Sequence, residues 1–276
     1  MCGRIDFSKY FGGAGVYIKE NFADKLKSAF ALNFPYADLE VFSEIDSTNT
    51  RAKLEARERN GKTPKFFIAE RQSAGRGRLG RSFLSEEGGL YMSYLSYPTL
   101  SVSDAIKLTA YAAVALCETV SELTWLNPKI KWVNDVFIGE KKLAGILTEG
   151  QFDPSGQCFE YAVLGIGVNI SKVDFGELSA IATDLESECG FLPDITEIAV
   201  RLSEKLLRFE DSDASEYMQK YCELSMLSGR RVKVILPLGE YFATVCGINP
   251  DGSLKIICDS GEIKDLRSGD VSIKLN

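Results

Sequence analysis

Between Ala74 and Arg81 the chain packs three glycines and three arginines into eight residues, a density that the interior of a helix or strand does not tolerate. The segment is therefore predicted to be a loop. It follows Phe66-Phe67-Ile68-Ala69, an apolar run that reads as a buried strand, so the loop is launched from the edge of a core. From Lys65 to Arg81 there are five basic residues, Lys65, Arg71, Arg76, Arg78 and Arg81, against Glu70 alone. A local charge of +4 in a chain of net charge -7 marks an anion site: glycine lets backbone N–H groups approach an anion, and arginine presents a planar fork of donors. A solvated connector is the plain alternative. Gly75-x-Gly77-x-x-Gly80 also matches a dinucleotide fingerprint. The next stretch, Ser82 to Gly89, breaks rather than builds a helix, and no acid lies between Glu87 and Asp104.

The chain is 276 residues long, enough for one large or two modest domains. Its acidic balance argues against a general nucleic-acid binder. No apolar run is long enough to span a bilayer, and the first residues lack the apolar core of a signal peptide, so a cytoplasmic protein is expected. Seven scattered cysteines, at 2, 117, 158, 189, 222, 246 and 258, form no C-x-x-C pair and are predicted to be buried, reduced thiols. There is no histidine, which excludes Ser-His-Asp and Cys-His catalysis. Chemistry must run on arginine, lysine, aspartate, asparagine and positioning.

Along the chain, residues 1–37 read as irregular, with one helix around Phe22 to Phe30. Asp46-Ser47-Thr48-Asn49 offers several caps for a helix from about 49 to 60 that Gly61 stops; capping explains one of these polar residues, and a ligand contact is the second reading of the others. Leu90 to Tyr97 alternates as a strand, and Ser103-Asp104 caps a helix running to about Leu123. Lys129 to Val133 is a strand ended by Asn134-Asp135. Val136–Ile138 and Leu143–Thr148 form a hairpin around Gly139-Glu140. Tyr161 to Ile170 is a buried strand whose Gly165 and Gly167 are spaced to let something lie flat against the backbone. Helices from about Thr196 to Phe209 and Ser215 to Cys222 come next. From Gly229 the texture turns to short, regularly spaced strands, a small all-β barrel. Three segments result: 1–37 of unknown role, 38–224, and 225–276.

Several stretches together resemble the biotin protein ligases. Ala74 to Arg81 resembles their glycine/arginine biotin loop. Lys131-Trp132-Val133-Asn134-Asp135 and Lys142-Leu143-Ala144-Gly145-Ile146-Leu147 resemble their Lys-Trp-Pro-Asn-Asp and Lys-Leu-Ala-Gly-Ile-Leu segments. Gly165-Ile166-Gly167-Val168-Asn169 resembles their nucleotide-binding strand, and Ser47-Thr48-Asn49 opens their first site helix. The resemblance, over about residues 40–276, implies an α+β fold: a mixed sheet with helices like class II aminoacyl-tRNA synthetases, then a C-terminal SH3-like barrel. It implies ATP-dependent formation of biotinyl-5'-AMP with Mg2+, then transfer of biotin to a lysine of a biotin carboxyl carrier domain.

Carried over by residue, the resemblance gives Ser47, Thr48, Asn49, Gln72, Gly75, Arg76, Arg78, Lys142, Gly145 and Gly165 to biotin. Arg78, Arg81, Phe83, Lys131, Asn134, Lys142 and Asn169 fall to ATP. Asn134 and Asp135 fall to Mg2+, and Lys142, Arg78 and Asp135 are the catalytic set. Three positions depart from the family: Phe83 stands for a tryptophan, Val133 for a proline, which predicts a looser turn before Asn134, and Asp184 for a serine. The first 37 residues are too short for a winged helix, so no operator binding is expected; a homodimer is. A lipoate or octanoate ligase is the rival within the fold, and a non-catalytic biotin sensor or scaffold the rival outside it.

Overall fold

The computed structural model describes residues 21–58, 62–101, 104–172, 174–236, 239–267 and 269–273. The proposed stop at Gly61, the cap at Ser103 and the irregular reading of residues 1–20 lie outside them. α1 (Phe22–Asn33) leads into β1 (Asp38–Ile45), and α2 (Thr48–Glu58) carries the chain over to β2 (Lys65–Gln72), which runs parallel to β1. β3 (Gly89–Ser96), α3 (Ala105–Thr124), β4 (Lys129–Lys131), β5 (Asp135–Ile138), β6 (Lys141–Phe152) and β7 (Phe159–Asn169) complete a mixed seven-stranded sheet of order β1-β2-β3-β7-β6-β5-β4.

The sheet is covered on both faces. Phe66, Ile68, Met92 and Tyr94 join the main core with α3, while Phe67, Leu95, Tyr161 and Val163 pack with Ala52 of α2. β3 is consequently buried along all eight residues, rather than half-exposed as alternation suggests. α2 has only one buried apolar residue, Ala52; its other buried positions are Thr48 and Asn49. A helix that turns polar groups into a sheet needs partners for them there, and those partners form one end of the candidate site.

After α4 (Leu185–Cys189), α5 (Ile195–Leu207) and α6 (Ala214–Glu223), strands β8 (Arg231–Leu236), β9 (Gly239–Ile248), β10 (Leu254–Cys258), β11 (Ile263–Leu266) and β12 (Asp270–Ile273) form an antiparallel sheet of order β11-β10-β9-β8-β12, consistent with an SH3-like fold. This sheet is not loosely tethered. The Ile130 N–H donates to Leu224 O, Met226 N–H donates to Ile130 O, and buried Trp132 donates through Nε1 to Gly252 O at 2.9 Å. Gly252 sits at φ +84°, and a Cβ there would stand 2.3 Å from Ile106 Cγ2 on α3.

The turn before Asn134, where Val133 stands for the family's proline, is tied at two points. Tyr221 Oη donates to Val133 O at 2.8 Å, and Ile146 N–H donates to Asn134 O. Asp184 caps α4, accepting from Ser187 N–H at 2.8 Å. Asp104 precedes α3 without a capping bond; its carboxylate instead accepts from Ser101 and pairs with Lys107. Of the six described cysteines only Cys117 is buried, and burial pushes its thiol up; Cys158 and Cys246 are exposed, correcting the expectation of buried thiols throughout. No disulfide links the described residues. Among them, no helix is long and apolar enough to cross a membrane.

Candidate active site

The loop after β2 folds back on itself. Gly77 N–H donates to Arg81 O, Phe83 N–H to Gly75 O, and Gln72 N–H to Ser85 O. Its tip is a single 3-10 turn, Arg78–Gly80, with exposed Leu79 at φ 56°. Gly75 serves the loop itself: a Cβ there would lie 2.3 Å from Phe83 O and Ser85 Oγ. It is not among the residues that line the cleft, and it lets the outgoing arm of the loop pack closely on the returning one.

Beneath the loop lies a cleft, open at its mouth, whose lining brings a few convergent polar and charged groups onto an apolar floor, as sites for small molecules do. One end is polar and preorganised. The Thr48 N–H and Oγ1 both donate to Gln72 Oε1, at 2.9 and 3.1 Å, and Gln72 Nε2 donates to Ser85 Oγ. The Ser93 hydroxyl, wholly buried, sits 2.7 Å from Thr48 Oγ1 and 2.5 Å from Asn49 Oδ1. Ser47 is 3 % exposed at the start of α2.

The middle of the cleft is floored by glycines of β6 and β7, but part of that space is already filled from within. A Cβ on Gly165 would stand 2.1 Å from Asn49 Oδ1, and one on Gly167 would stand 2.6 Å from the Phe83 ring. These glycines let Asn49 and Phe83 lie against the strand. Phe83 also covers Gly145, with its ring 3.0 Å from a Cβ built there.

At the far end the charges gather on the turn that joins β4 to β5. Arg78 donates from Nη1 to Asn134 Oδ1 at 3.1 Å and from Nη2 to Gly269 O at 3.4 Å. Lys142 Nζ pairs with Asp135 Oδ1 at 2.7 Å and stands 5.7 Å from the centroid of the Phe83 ring. Asn134 also anchors to the sheet: its Nδ2 donates to Ile146 O at 2.9 Å. A carboxylate and an amide oxygen are in kind suited to Mg2+, and in this structure Asn134 Oδ1 faces Arg78 while Asp135 Oδ1 faces Lys142. Among the described residues no group of three or more His, Cys, Asp or Glu is placed to hold a metal.

Of the residues expected from sequence, Ser47, Thr48, Asn49, Gln72, Arg76, Arg78, Arg81, Phe83, Asn134, Asp135, Lys142, Gly145 and Gly165 line this one cleft. Lys131 and Asn169 do not. Lys131 Nζ stands 5.7 Å from the centroid of the Phe137 ring, and Asn169 Nδ2 donates to Thr183 O, bracing the chain after β7. The positive island also disperses: Lys65 pairs with Glu40 and Glu55, and Arg71 with Glu44 and Glu86, leaving Arg76, Arg78 and Arg81 at the cleft. Sequence reasoning missed Ser93, Met92 and Gly269. A serine amid the apolar residues of β3 was the available signal for the first; Gly269 arrives from the far end of the chain and had none.

Comparison with known proteins gives the chain a family. Residues 41–169 match the model of the Biotin/lipoate A/B protein ligase family, and residues 227–274 match the Biotin protein ligase C terminal domain. The bifunctional ligase/repressor BirA of Escherichia coli K12 is 31% identical over 243 residues, 85% of this chain and 73% of that one. The biotin--[acetyl-CoA-carboxylase] ligase of Mycobacterium tuberculosis H37Rv is 29% identical over 254 residues, 84% and 90% of the two chains. Among solved structures, the Aquifex aeolicus biotin protein ligase in complex with biotin and ATP superposes with a TM-score of 0.71 at 30% identity, covering 87% of this chain and 99% of that one. The chain belongs to the biotin/lipoate A/B protein ligase family, among its biotin protein ligases.

Proposed function

We propose that this protein joins biotin to ATP as biotinyl-5'-AMP and then passes biotin to a lysine of a biotin carboxyl carrier domain, using the residues of this cleft. The observation that carries the assignment of roles is the arrival of Arg78 and Lys142 at one turn, Asn134-Asp135, with the Thr48–Gln72–Ser93 network at the other end of the same cleft. The network suits a neutral polar head such as a ureido ring, which both donates and accepts. The cationic end suits a carboxylate and a phosphate.

In the first step a biotin carboxylate oxygen attacks the α-phosphorus of ATP, the bond to the bridging oxygen breaks, and pyrophosphate leaves. Two anions must meet, and Arg78 and Lys142 would lower that repulsion and stabilise charge building on the phosphorus oxygens. Lys142 is held ready by Asp135 and would exchange that partner for the substrate's oxygens. In the second step the neutral amine of the carrier lysine attacks the acyl carbon, AMP leaves, and the amine gives up a proton. No enzyme nucleophile takes part, so a chain without histidine loses nothing. The loop over the cleft would keep water from the mixed anhydride. Any Mg2+ arrives with ATP, and no step here depends on Asn134 or Asp135 binding it.

Purified protein mixed with Mg-ATP and either biotin or lipoate, without carrier, tests this directly. Biotinyl-5'-AMP with no lipoyl product supports it. A lipoyl product in place of the biotinyl one turns the assignment to the lipoate branch, and biotin binding without pyrophosphate release turns it to a sensor.

A further inference from the structure

The loop over the cleft has an ionic tie that the proposed chemistry does not use. Glu149, on β6, lies at the cleft's edge, where its carboxylate meets three groups. Lys53 Nζ from α2 stands 2.6 Å from Oε1, Asn49 Nδ2 donates to Oε2 at 3.0 Å, and Arg76 Nη2 from the loop stands 3.4 Å from Oε1. Asn49 is itself buried and fixed by Leu147 O and Ser93. Burial works to raise Glu149, but Lys53, Asn49 and Arg76 together outweigh it and hold the group below the usual carboxylate range. Glu149 is thus a charged receiver locked to the sheet and to α2 whether or not Arg76 is present.

Arg76 is the movable half. It is half-exposed, sits on the glycine-rich arm, and meets Ser82 across the loop through a backbone bridge. Leaving Glu149 would return its guanidinium to water while Lys53 still neutralises the carboxylate, so opening strands no buried charge. An ion pair of this kind is weak enough to release and still favours the arm's return to the fixed carboxylate.

We infer that Glu149 is a positioning residue that latches the glycine/arginine loop through Arg76, and so sets how long the cleft stays shut. Its consequence for the lifetime of bound biotinyl-5'-AMP rests on the proposed ligase function; the latch itself does not.

The test is a double-mutant cycle on the full chain with Arg76→Gln, Glu149→Gln and both together, read in two ways. The first is the rate at which trypsin cuts after Arg78 or Arg81 in ligand-free protein, monitored by mass spectrometry, with thermal melting to report global stability. The second is the release rate of biotinyl-5'-AMP formed in place. Each single variant is expected to speed loop cleavage and adenylate release about two- to fivefold, and the double variant to match the faster single one. Adenylate formation at saturating biotin should change less than release. Unchanged cleavage, or effects that multiply in the double variant, would overturn the latch. Normal coupling in the cleavage assay with no adenylate formed by the parent protein would overturn the ligase reading and leave the latch standing.

Discussion

Lys142 Nζ lies 2.7 Å from Asp135 Oδ1, and the strands that carry them, β6 and β5, are paired so that Asp135 faces Gly145 across the ladder. The lysine is therefore delivered to the cleft by sheet register, three residues from a glycine that leaves it room. Lys141, one residue earlier, is exposed. Lys142→Ala is expected to slow adenylate formation by about 10²–10³-fold, the scale seen when one preorganised charge-stabilising donor is removed. Lys141→Ala is expected to leave the rate within twofold. A single-turnover assay of pyrophosphate release separates the two, and a Lys142→Ala variant with normal rates would remove its catalytic assignment.

The glycines of β7 make a sharper prediction because the obstacle is known atom by atom. Gly165→Ala places a methyl 2.1 Å from Asn49 Oδ1, in a wholly buried contact on the polar end of the cleft. Asn49 would have to leave Ser93 and Glu149. Overpacking of this kind costs about 1–3 kcal/mol, which lowers Tm by about 2–4 °C for each kcal/mol in a chain of this size. Biotin binding by calorimetry should weaken in parallel. Gly167→Ala meets the Phe83 ring instead, so Phe83→Ala in the same chain should restore stability while Gly165→Ala gains nothing from it.

How much of this was legible in the sequence depends on the kind of information that residue spacing can encode. The loop was, because three glycines and three arginines permit little else, and the strands around it were fixed by apolar runs. The hairpin carrying Lys142 and the turn carrying Asn134 and Asp135 were also readable, since both are local. The destination of a side chain was not. Gly165 and Gly167 signal that something approaches the backbone, and nothing in the string says whether it is a ligand or Asn49 and Phe83. Lys65 and Arg71 belong to the same charged run as Arg78, yet the strand pleat and the neighbouring acids send them elsewhere. Lys131, two residues before the tightly held turn, points to Phe137 rather than the cleft. Gly269 reaches Arg78 only because the C-terminal sheet packs against the first, a contact across 191 positions.

That packing is itself testable through Trp132. Its indole N–H donates to Gly252 O at 2.9 Å within a buried contact between the two sheets. Trp132→Phe keeps most of the apolar volume and removes the donor, leaving the carbonyl without its partner. The expected cost is about 1–3 kcal/mol. Because the C-terminal sheet also places Gly269 O against Arg78, the variant should raise the biotin concentration needed for half-maximal adenylation more than it lowers the limiting rate. Thermal melting and steady-state pyrophosphate release check both parts.

Acid sensitivity is expected from the ion pairs that tie α2 to the sheet. The Lys65 hydrogen bond, helped by the charges of Lys65 and Arg51 against a burial penalty, holds Glu55 below its ordinary value of 4.5. Glu55 on α2 is thereby tied to β2 through Lys65 at 2.9 Å, and Lys65 also reaches Glu40 on β1. A carboxyl whose value is depressed by folding contributes stability that is fully present above about pH 4.5. That contribution is lost as pH falls through the lower folded value. The protein should therefore lose Tm on acidification below about pH 4.5, and Glu55→Gln should flatten that part of the profile while lowering Tm at pH 7. Because α2 also carries Thr48 and Asn49, biotin affinity should fall over the same window. An acid limb of equal slope in the parent and in Glu55→Gln would show that the Lys65–Glu55 tie does not link α2 to the sheet.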